Sequence, residues 1–288
     1  MANEIFGTGL LPSPIDTRDI PLSAVAPSIV RIPDKVLPPF DLTILNQGQD
    51  PACVGFACAA YEEYLKARQK MSKVFNGKWI YDECKKIDGI PNQAGTYFRT
   101  GMKVLQKTGA LPLSGGIPSD FKLGSYAQID NITEEELKKD IFLYGAVIAG
   151  FKGSNDGWKG EIVRAPLAGE ATWGHAVLLT GYDDLIIGQN SWGEAKHNKG
   201  QFKVAKGYLP FEAWVAITDL PVVERGTIGW IAKQYVIGGL TTTYLKLRAG
   251  ASLSAEVIKI LPPNTKVEQI SAGEFNADGY VWINVAVA

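Results

Sequence analysis

The sequence is poor in the residues that build disulfide frameworks and metal centres, with three cysteines and two histidines among 288 residues. Three cysteines cannot close a disulfide framework, which indicates folding in a reducing compartment. Long apolar runs are also missing, and no stretch reaches the length of a transmembrane helix. The 29 Lys and Arg balance 30 Asp and Glu without a dense basic run, so nucleic acid is not expected as a partner.

The start of the chain shows no basic segment followed by a hydrophobic one. No secretory signal is therefore expected, and the sequence predicts synthesis and folding in the cytoplasm. Residues 1–40 contain seven prolines and little periodicity, which predicts an extended strap lying across a globular body. Such a strap either restrains a cleft or packs along the back of the body as a belt, and the belt is the favoured interpretation.

Apolar spacing predicts helices in the first half of the chain and strands in the second. The predicted helices cover 53–71, 79–88, 96–108 and 133–144. The predicted strands cover 146–149, 176–182, 185–187, 201–204 and 214–217. Four charged side chains of the first helix are expected to face outward: Glu62, Glu63, Lys66 and Arg68. Helices followed by strands indicate an α+β protein of two lobes with a cleft between them.

The last stretch of the chain differs in kind. Short strands at close spacing, over 241–247, 257–261, 265–270 and 280–287, predict a small β-barrel. The predicted organisation is a strap, a two-lobed domain, a linker and a small all-β domain, over 1–40, 41–222, 223–235 and 236–288.

Cys53 lies where the first predicted helix begins. Asp50 is expected to cap that helix, and Pro51 suits its first turn. A thiol in the first turn faces the positive end of the helix dipole, which predicts a lowered pKa and a reactive thiolate. Gln47, six residues upstream, has an amide that can donate to an oxyanion beside the sulfur. A lone cysteine is more often a small buried thiol, so the residues downstream decide between the two interpretations.

Only two histidines are available as a base. His175 directly precedes a predicted strand beside the cleft, whereas His197 lies in a polar loop and is expected to be solvated. Asn190 follows His175 by fifteen residues and can accept from its imidazole, while Trp192 keeps water from that bond. Taken singly, Asn190 also suits a turn and Trp192 suits a core.

Together these residues resemble the papain family of cysteine peptidases over roughly residues 10–220. The resemblance runs through motifs in a fixed order: Gln47…Cys53, Gly174-His175-Ala176-Val177, Gly181-Tyr182, Asn190-Ser191-Trp192-Gly193 and Gly200. Further segments are similar to the bacterial branch of the family: Lys85-Lys86-Ile87-Asp88-Gly89 and Leu209-Pro210-Phe211.

The resemblance implies a role for each matched residue. Cys53 would be the nucleophile, His175 the base and later the acid, and Asn190 the residue that orients His175. The Gln47 side chain and the Cys53 N–H would form the oxyanion hole. An extended protein or peptide substrate would be contacted by Gly95, Tyr97, Ala176 and Trp192. The implied chemistry needs no metal and no organic cofactor. The chain departs from the family at Lys196-His197, which stands where a Trp-Gly pair is common.

The C-terminal stretch resembles a bacterial SH3 domain, through Leu245-Lys246-Leu247-Arg248-Ala249-Gly250 and Val281-Trp282-Ile283-Asn284-Val285. Such domains often bind bacterial cell walls or peptide stems, so a cell wall or a larger assembly is the implied partner. Its candidate recognition residues are Tyr244, Phe275 and Tyr280, with Trp282 expected in the core.

The fold class predicted from the sequence is therefore α+β, a two-lobed papain-like peptidase fold followed by a small SH3-like barrel. The predicted function is a cysteine endopeptidase with a targeting module. One alternative is a cell-wall lysin that cuts peptidoglycan peptides, released or virion-associated if a phage encodes it. A second alternative is a non-catalytic binding protein on a peptidase scaffold.

Overall fold

A computed structural model describes residues 7–25, 32–217, 228–237, 240–241, 245–248, 252–254, 257–261, 265 and 267–287. The chain divides into two compact units. Residues 1–25 and 30–220 form the first unit, and residues 26–29 and 221–288 form the second. The first unit therefore includes most of the predicted strap as well as the predicted two-lobed domain.

The described residues of the first unit contain the four predicted α-helices, which are α1 Cys53–Arg68, α2 Gly77–Ile87, α3 Phe98–Lys107 and α4 Glu134–Tyr144. Side-chain caps fix two of the helix starts. Thr133 Oγ1 accepts from the Glu136 N–H at 3.1 Å, and Asn76 Oδ1 accepts from the Trp79 N–H at 3.0 Å. Each cap satisfies a backbone donor that the helix leaves free. Helix α4 begins next to the predicted start at 133, whereas α2 begins at Gly77, two residues before the predicted start at 79.

Helix α1 is buried on nearly all sides. The outward orientation predicted for its charged residues is wrong for three of them, since Glu62, Glu63 and Lys66 are all buried. Lys66 Nζ lies 3.1 Å from Glu62 Oε1, and Glu63 Oε1 accepts from the backbone N–H of Thr43 at 2.9 Å. The helix packs against α2, α3 and strands of the sheet, so no face of it is left for solvent.

Nine strands belong to the first unit's described residues: β1 Leu10–Leu11, β2 Thr96–Tyr97, β3 Tyr126–Gln128, β4 Val147–Gly153, β5 Ile162–Val163, β6 Trp173–Tyr182, β7 Ile186–Gln189, β8 Gln201–Val204 and β9 Glu212–Ala216. Seven of them form one sheet in the order β3-β9-β4-β6-β7-β8-β5. Its pairs are antiparallel except for β5 with β8. Helix α1 packs on β4 and β6, which brings the helical side against the sheet.

The first described part of the N-terminal strap lies beside the start of α3 and not along the back of the body. Strand β1 pairs with β2 in parallel, at the start of α3. Further along, the Asp19 carboxylate is bound by the Arg99 guanidinium of α3, with Nε 2.8 Å from Oδ1. Val36 and Tyr182 exchange two backbone hydrogen bonds at 2.8 and 2.6 Å. Strand β1 of the strap therefore packs against β2 and β6, which the belt interpretation does not predict.

The described residues of the second unit contain one 3-10 turn, Lys233–Tyr235, and otherwise form strands. These strands are β10 Ile228–Ala232, β11 Val236–Ile237, β12 Leu240–Thr241, β13 Leu245–Arg248, β14 Val257–Leu261, β15 Val267–Ala277 and β16 Tyr280–Val287. Five of them form an antiparallel sheet in the order β14-β13-β10-β16-β15. Strand β10 lies at the centre of this sheet, within the segment predicted as a linker. Trp282 is buried, as predicted. None of the described helices has the length and apolar character needed to cross a bilayer.

Candidate active site

Cys53 is the first residue of α1, and its side chain is fully buried. The predicted Asp50 cap is absent: the N-cap residue is Ala52, and no side chain caps the helix. Burial raises the pKa of the Cys53 thiol to about 12, against the backbone N–H groups of Ala176 and Leu10, which lower it. The pKa of the thiol is therefore raised and not lowered, because the loss of hydration on burial outweighs the favourable effect of the helix N-terminus.

His175 lies on β6 and is hydrogen-bonded to the residue that the sequence pairs with it. Its Nε2 is 2.7 Å from Asn190 Oδ1, and both residues are buried. The other ring nitrogen, Nδ1, is buried and has no hydrogen-bond partner among the described residues. Burial lowers the pKa of His175 to about 3, so the ring is neutral. The hydrogen bond to Asn190 places the proton on Nε2 and leaves the Nδ1 lone pair to accept one.

His175 and Cys53 are connected through the backbone. Ala176, the next residue of β6, directs its N–H at the Cys53 sulfur. The Trp192 ring stacks on the His175 ring, with centroids 4.5 Å apart and an interplanar angle of 26°. His175 therefore lies one residue from the backbone N–H that faces the Cys53 sulfur, and the Trp192 indole stacks on its ring.

Gln47 is buried beside the same residues. Its Oε1 accepts from Ser191 Oγ at 2.6 Å, and its Nε2 donates to the Asp50 carbonyl at 2.8 Å. The Gln47 backbone N–H also donates to the Ser191 carbonyl at 2.9 Å. An amide nitrogen carries two hydrogens, so the second remains available to an oxyanion.

The N-terminal segment 7–11 lies directly on these residues. The Gly7 carbonyl accepts from Trp192 Nε1 at 2.8 Å, and the Gly7 N–H donates to the Gly48 carbonyl at 3.2 Å. A Cβ on Gly7 would lie 2.8 Å from Gln47 Nε2, so the chain passes against the amide proposed for the oxyanion hole. Part of the burial of Cys53 comes from the strap itself, since the Leu10 N–H is directed at its sulfur.

Gly9 is held between both sides of the site. Its N–H donates to the Gly174 carbonyl at 3.1 Å, and its carbonyl accepts from the Thr96 N–H at 2.9 Å. Gly95 has φ of +84°, and a Cβ there would lie 2.0 Å from the Gly9 oxygen. Gly95 therefore allows the close approach expected of it, while the hydrogen bond itself is made by the neighbouring Thr96, which sequence reasoning missed.

Leu10 fills an apolar pocket next to Cys53. A Cβ on Gly150 would meet Leu10 Cδ2 at 2.3 Å, Phe98 Cε2 at 2.9 Å and Phe211 Cζ at 3.4 Å. The missing side chain at Gly150 therefore makes room for Leu10, which is 3% exposed. Of the predicted pocket residues, Ala176 is paired with Gly150.

Tyr97, the other residue predicted for this pocket, is paired with Leu11 in the β1–β2 ladder. Glu212 anchors the strap just beyond it: its Oε2 accepts from the Ser13 N–H at 2.9 Å and its Oε1 from Trp214 Nε1 at 2.7 Å. Glu212 is buried and was not predicted, because nothing in its local sequence separates it from an ordinary strand residue.

His197 is not the solvated surface residue that its polar neighbours predict. The side chain is half-buried, and its Nε2 lies 2.8 Å from Asn190 Nδ2. Its Nδ1 lies 2.7 Å from the Gly160 carbonyl. The available signal was its rarity: it is the second of only two histidines and follows Asn190 by seven residues.

The candidate recognition residues of the tail belong to the other unit. Tyr244 lies outside the described residues. Phe275 is in β15, where its backbone is paired with Trp282 of β16. Tyr280 is half-buried, with its ring 6.2 Å from that of Trp282. Among the described residues, no three His, Cys, Asp or Glu side chains are grouped as a metal ion would require.

Sequence comparisons find no matching family model and no matching curated protein. Solved structures, in contrast, are similar. Xylellain, a cysteine protease from Xylella fastidiosa, aligns with a TM-score of 0.64 and 24% identity, over 74% of this chain and 96% of its own. Procathepsin B S9 from Trypanosoma congolense aligns with a TM-score of 0.58 and 12% identity, over 75% of this chain and 86% of its own.

Procathepsin L2 from the Tenebrio molitor larval midgut aligns with a TM-score of 0.58 and 18% identity, over 75% of this chain and 80% of its own. These alignments cover about three quarters of the chain, the share that the first unit occupies. At identities below 25%, these alignments show similarity of the fold alone. The first unit of this chain has the papain-like cysteine protease fold.

Proposed function

We propose that this chain is a cysteine peptidase in which Cys53 is the nucleophile and His175 is the base. The observation that carries the proposal is the placement of the histidine. Its Nε2 is hydrogen-bonded to Asn190 at 2.7 Å, its Nδ1 is free to accept a proton, and the next residue contacts the Cys53 sulfur. A nucleophile and a base that is itself oriented by a third group is the arrangement of covalent acyl transfer.

In the first half of the reaction, His175 Nδ1 takes the thiol proton as the sulfur attacks a peptide carbonyl. The C–S bond forms, and the carbonyl π pair moves to oxygen. The resulting oxyanion is stabilised by the Cys53 N–H and by the second N–H of the Gln47 amide. The C–N bond then breaks, and the proton on His175 Nδ1 passes to the leaving amine.

In the second half, water replaces the amine. His175 Nδ1 removes a proton from the water as its oxygen attacks the thioester carbon. Collapse of the second tetrahedral intermediate breaks the C–S bond and returns the proton to the sulfur. Throughout, Asn190 Oδ1 holds the proton on His175 Nε2, so that the nitrogen used for proton transfer is always Nδ1.

We further propose that residues 7–11 restrain the peptidase by lying in its substrate cleft. The segment uses groups that an extended substrate would need: the Thr96 N–H, the Gly174 carbonyl and the Trp192 indole N–H. Leu10 in its apolar pocket supports a preference for substrates with a leucine-sized aliphatic side chain there. In this closed form both Cys53 and His175 are neutral, which fits a resting state.

For the second unit we propose an SH3-like targeting module that holds the enzyme on a bacterial cell wall or a larger assembly. Its sequence motifs and its five-stranded antiparallel sheet support this role. The alternative of a cell-wall lysin, cellular or phage-encoded, keeps the same chemistry and changes the substrate. Turnover of a denatured protein against purified sacculi distinguishes the two.

The test of the peptidase proposal is labelling by an epoxide-type, thiol-directed peptide probe. We expect Cys53 to be labelled, and the Cys53→Ala variant to lose both labelling and peptide turnover. Cys84→Ala is the matched control, since Cys84 is a second buried thiol on a neighbouring helix. It should keep both properties.

Repeating the labelling with Gly9→Ala distinguishes a cleft that the strap blocks from a site that lacks activity. That residue has φ of +128°, and a Cβ on it would lie 2.4 Å from the Pro51 oxygen, so the substitution should displace the strap. If the probe labels Cys53 neither in the parent nor in Gly9→Ala, the chain is a non-catalytic binding protein on a peptidase scaffold.

A further inference from the structure

We propose that His197 is a positioning residue that fixes the amide of Asn190 and, through it, the proton of His175. The inference rests on the proposed function, since it assigns a role within the same site. It adds a fifth side chain to the four that the sequence motifs supply, which are Gln47, Cys53, His175 and Asn190. The position is one where this chain departs from the family pattern, so the resemblance does not supply the role.

The backbone at His197 is arranged to deliver the ring to this place. Its φ is +53°, a left-handed conformation that non-glycine residues adopt infrequently. The ring lies nearly parallel to Trp192, with centroids 5.8 Å apart and an interplanar angle of 21°. Trp192 therefore stacks on both imidazoles, and its centroid distance to His175 is 4.5 Å.

The hydrogen bonds of His197 determine its tautomer. The Gly160 carbonyl can only accept, so His197 Nδ1, at 2.7 Å, must carry the hydrogen. Burial lowers the pKa of His197, which keeps the ring neutral. Its Nε2 is then a lone pair, and it accepts from the Asn190 amide nitrogen at 2.8 Å.

This acceptor fixes which way the Asn190 amide points. With Nδ2 bound to His197, Oδ1 faces the two donors on its other side, the Ser191 N–H at 2.8 Å and His175 Nε2 at 2.7 Å. A flipped amide would place its NH2 against both of these donors. His197 therefore holds Oδ1 toward His175, which in turn leaves His175 Nδ1 unprotonated for the thiol.

The first test compares two substitutions in the full chain. His197→Phe keeps a flat ring on Trp192 but removes the acceptor, whereas His197→Gln keeps an acceptor without the ring. We expect His197→Phe to lower kcat for a short peptide by roughly two- to tenfold, the effect of losing one neutral hydrogen bond, with KM unchanged. His197→Gln should recover most of the loss, and Asn198→Ala, an exposed neighbour in the same loop, should have no effect.

A double-mutant cycle with Asn190→Ala shows whether His197 acts through Asn190. In the Asn190→Ala background, His197→Phe should lower kcat no further, because there is no amide left to orient. Equal losses from His197→Phe in both backgrounds would overturn the proposal, as would a loss confined to KM.

A spectroscopic readout keeps the inference independent of turnover. The chain has two histidines, so ring ¹⁵N spectra contain two imidazole systems, assigned by one substitution. We expect the proton on Nδ1 in His197 and on Nε2 in His175, with the His175 signal disturbed by His197→Phe and retained in His197→Gln. The opposite tautomer at His197 would overturn the inference. An unlabelled Cys53 with these tautomers intact would instead count against the peptidase proposal alone.

Discussion

Asn190 lies between two imidazoles, and its replacement should affect proton transfer less than removal of the base itself. We expect Asn190→Ala to lower kcat by roughly two- to tenfold, since the change removes one oriented hydrogen bond. His175→Ala should lower it by roughly 10²- to 10⁴-fold, the usual contribution of a general acid–base residue. Steady-state kinetics on one peptide measures both.

Folding must be shown to be intact in both variants, by an unchanged thermal transition. Equal losses in Asn190→Ala and His175→Ala would mean that Asn190 does more than orient, for example by contacting the substrate. An unaffected Asn190→Ala would mean that Trp192 and the β6 backbone suffice to hold the ring.

Protonation of Asp140 is expected to affect the stability of the folded state. Asp140 is 1% exposed, and neither of its carboxyl oxygens has a hydrogen-bond partner among the described residues. Burial raises the pKa of Asp140 from 3.8 to about 7. The folded state therefore binds the proton more tightly than the unfolded state, and stability falls as pH rises from about 4 to about 7.

Asp140→Asn should remove this dependence, because the amide stays neutral. At pH 8 we expect the variant to be more stable than the parent, by up to the order of 4 kcal/mol, and at pH 4 the two should be alike. Denaturant unfolding at both pH values measures the difference. Asp184→Asn, at an exposed carboxylate, is the control, and a pH-independent difference for Asp140→Asn would contradict this account.

Local sequence singles out candidate site residues but does not predict their protonation. Cys53, His175, Asn190 and Gln47 are candidates because their chemistry and order are distinctive, and the structure places His175 against Asn190. The pKa of Cys53 was predicted with the wrong sign because burial raises it, and the buried cluster around Cys53 includes residues far away in the sequence, such as Leu10. His197 was misjudged for the same reason: a polar neighbourhood in sequence does not show that Asn190 and Gly160 meet it in space.

Among the structural elements, β1 is the one whose displacement should change activity most. Gly9→Ala places a Cβ 2.4 Å from the Pro51 oxygen, at a residue with φ of +128°. We expect alkylation of Cys53 by iodoacetamide to become roughly tenfold faster or more, because strain of about 1–3 kcal/mol falls on the closed form alone. Because water would again reach the sulfur, the pKa of the Cys53 thiol should also fall. The pH at which alkylation becomes fast should therefore be lower in Gly9→Ala than in the parent.

Ile15→Ala is the matched substitution for the strap, since Ile15 is 99% exposed. It should leave the alkylation rate of Cys53 unchanged. Slower alkylation or lower turnover in Gly9→Ala would mean that β1 supports the site as a structural part and does not restrain it.

Elements with their own local signals were predictable, and elements defined by packing were not. Helix α4 begins where Thr133 predicts it, because the cap is encoded within four residues. Burial of Glu62 and Lys66 in α1 was not predictable from periodicity, because that pattern does not show that a helix is covered on every side. The two residues of β1 have no strand pattern of their own and form a strand only through β2.

At the scale of the whole molecule, the boundary between the two units can be tested by truncation. Removal of residues 221–288 takes away the second unit except for its short segment 26–29. We expect turnover of a short peptide to stay within about twofold, since the proposed active residues are all in the first unit, and binding to purified cell walls to be lost. Pull-down with sacculi measures the second effect.

Removal of residues 236–288 should cause more aggregation than removal of residues 221–288. It leaves β10 without β13 and β16, its partners on either side, and exposes Ile231, which is fully buried in the second unit. An unpaired apolar strand is prone to edge-to-edge association, so aggregation is expected. If removal of residues 221–288 unfolds the peptidase, the second unit has a structural role and cell-wall targeting loses its support.

Under the proposed restraint, Gly7 to Leu11 compete with the substrate from within the same chain as Cys53, so the tether fixes their concentration at the cleft. Short tethers give effective concentrations in the millimolar range. Diluting the protein therefore does not open the site, as it would with a separate inhibitor, and the fraction of open molecules is the same at every enzyme concentration. A substrate must outcompete this internal occupant, so its apparent KM is raised in proportion to the tethered concentration while kcat at saturation is unchanged.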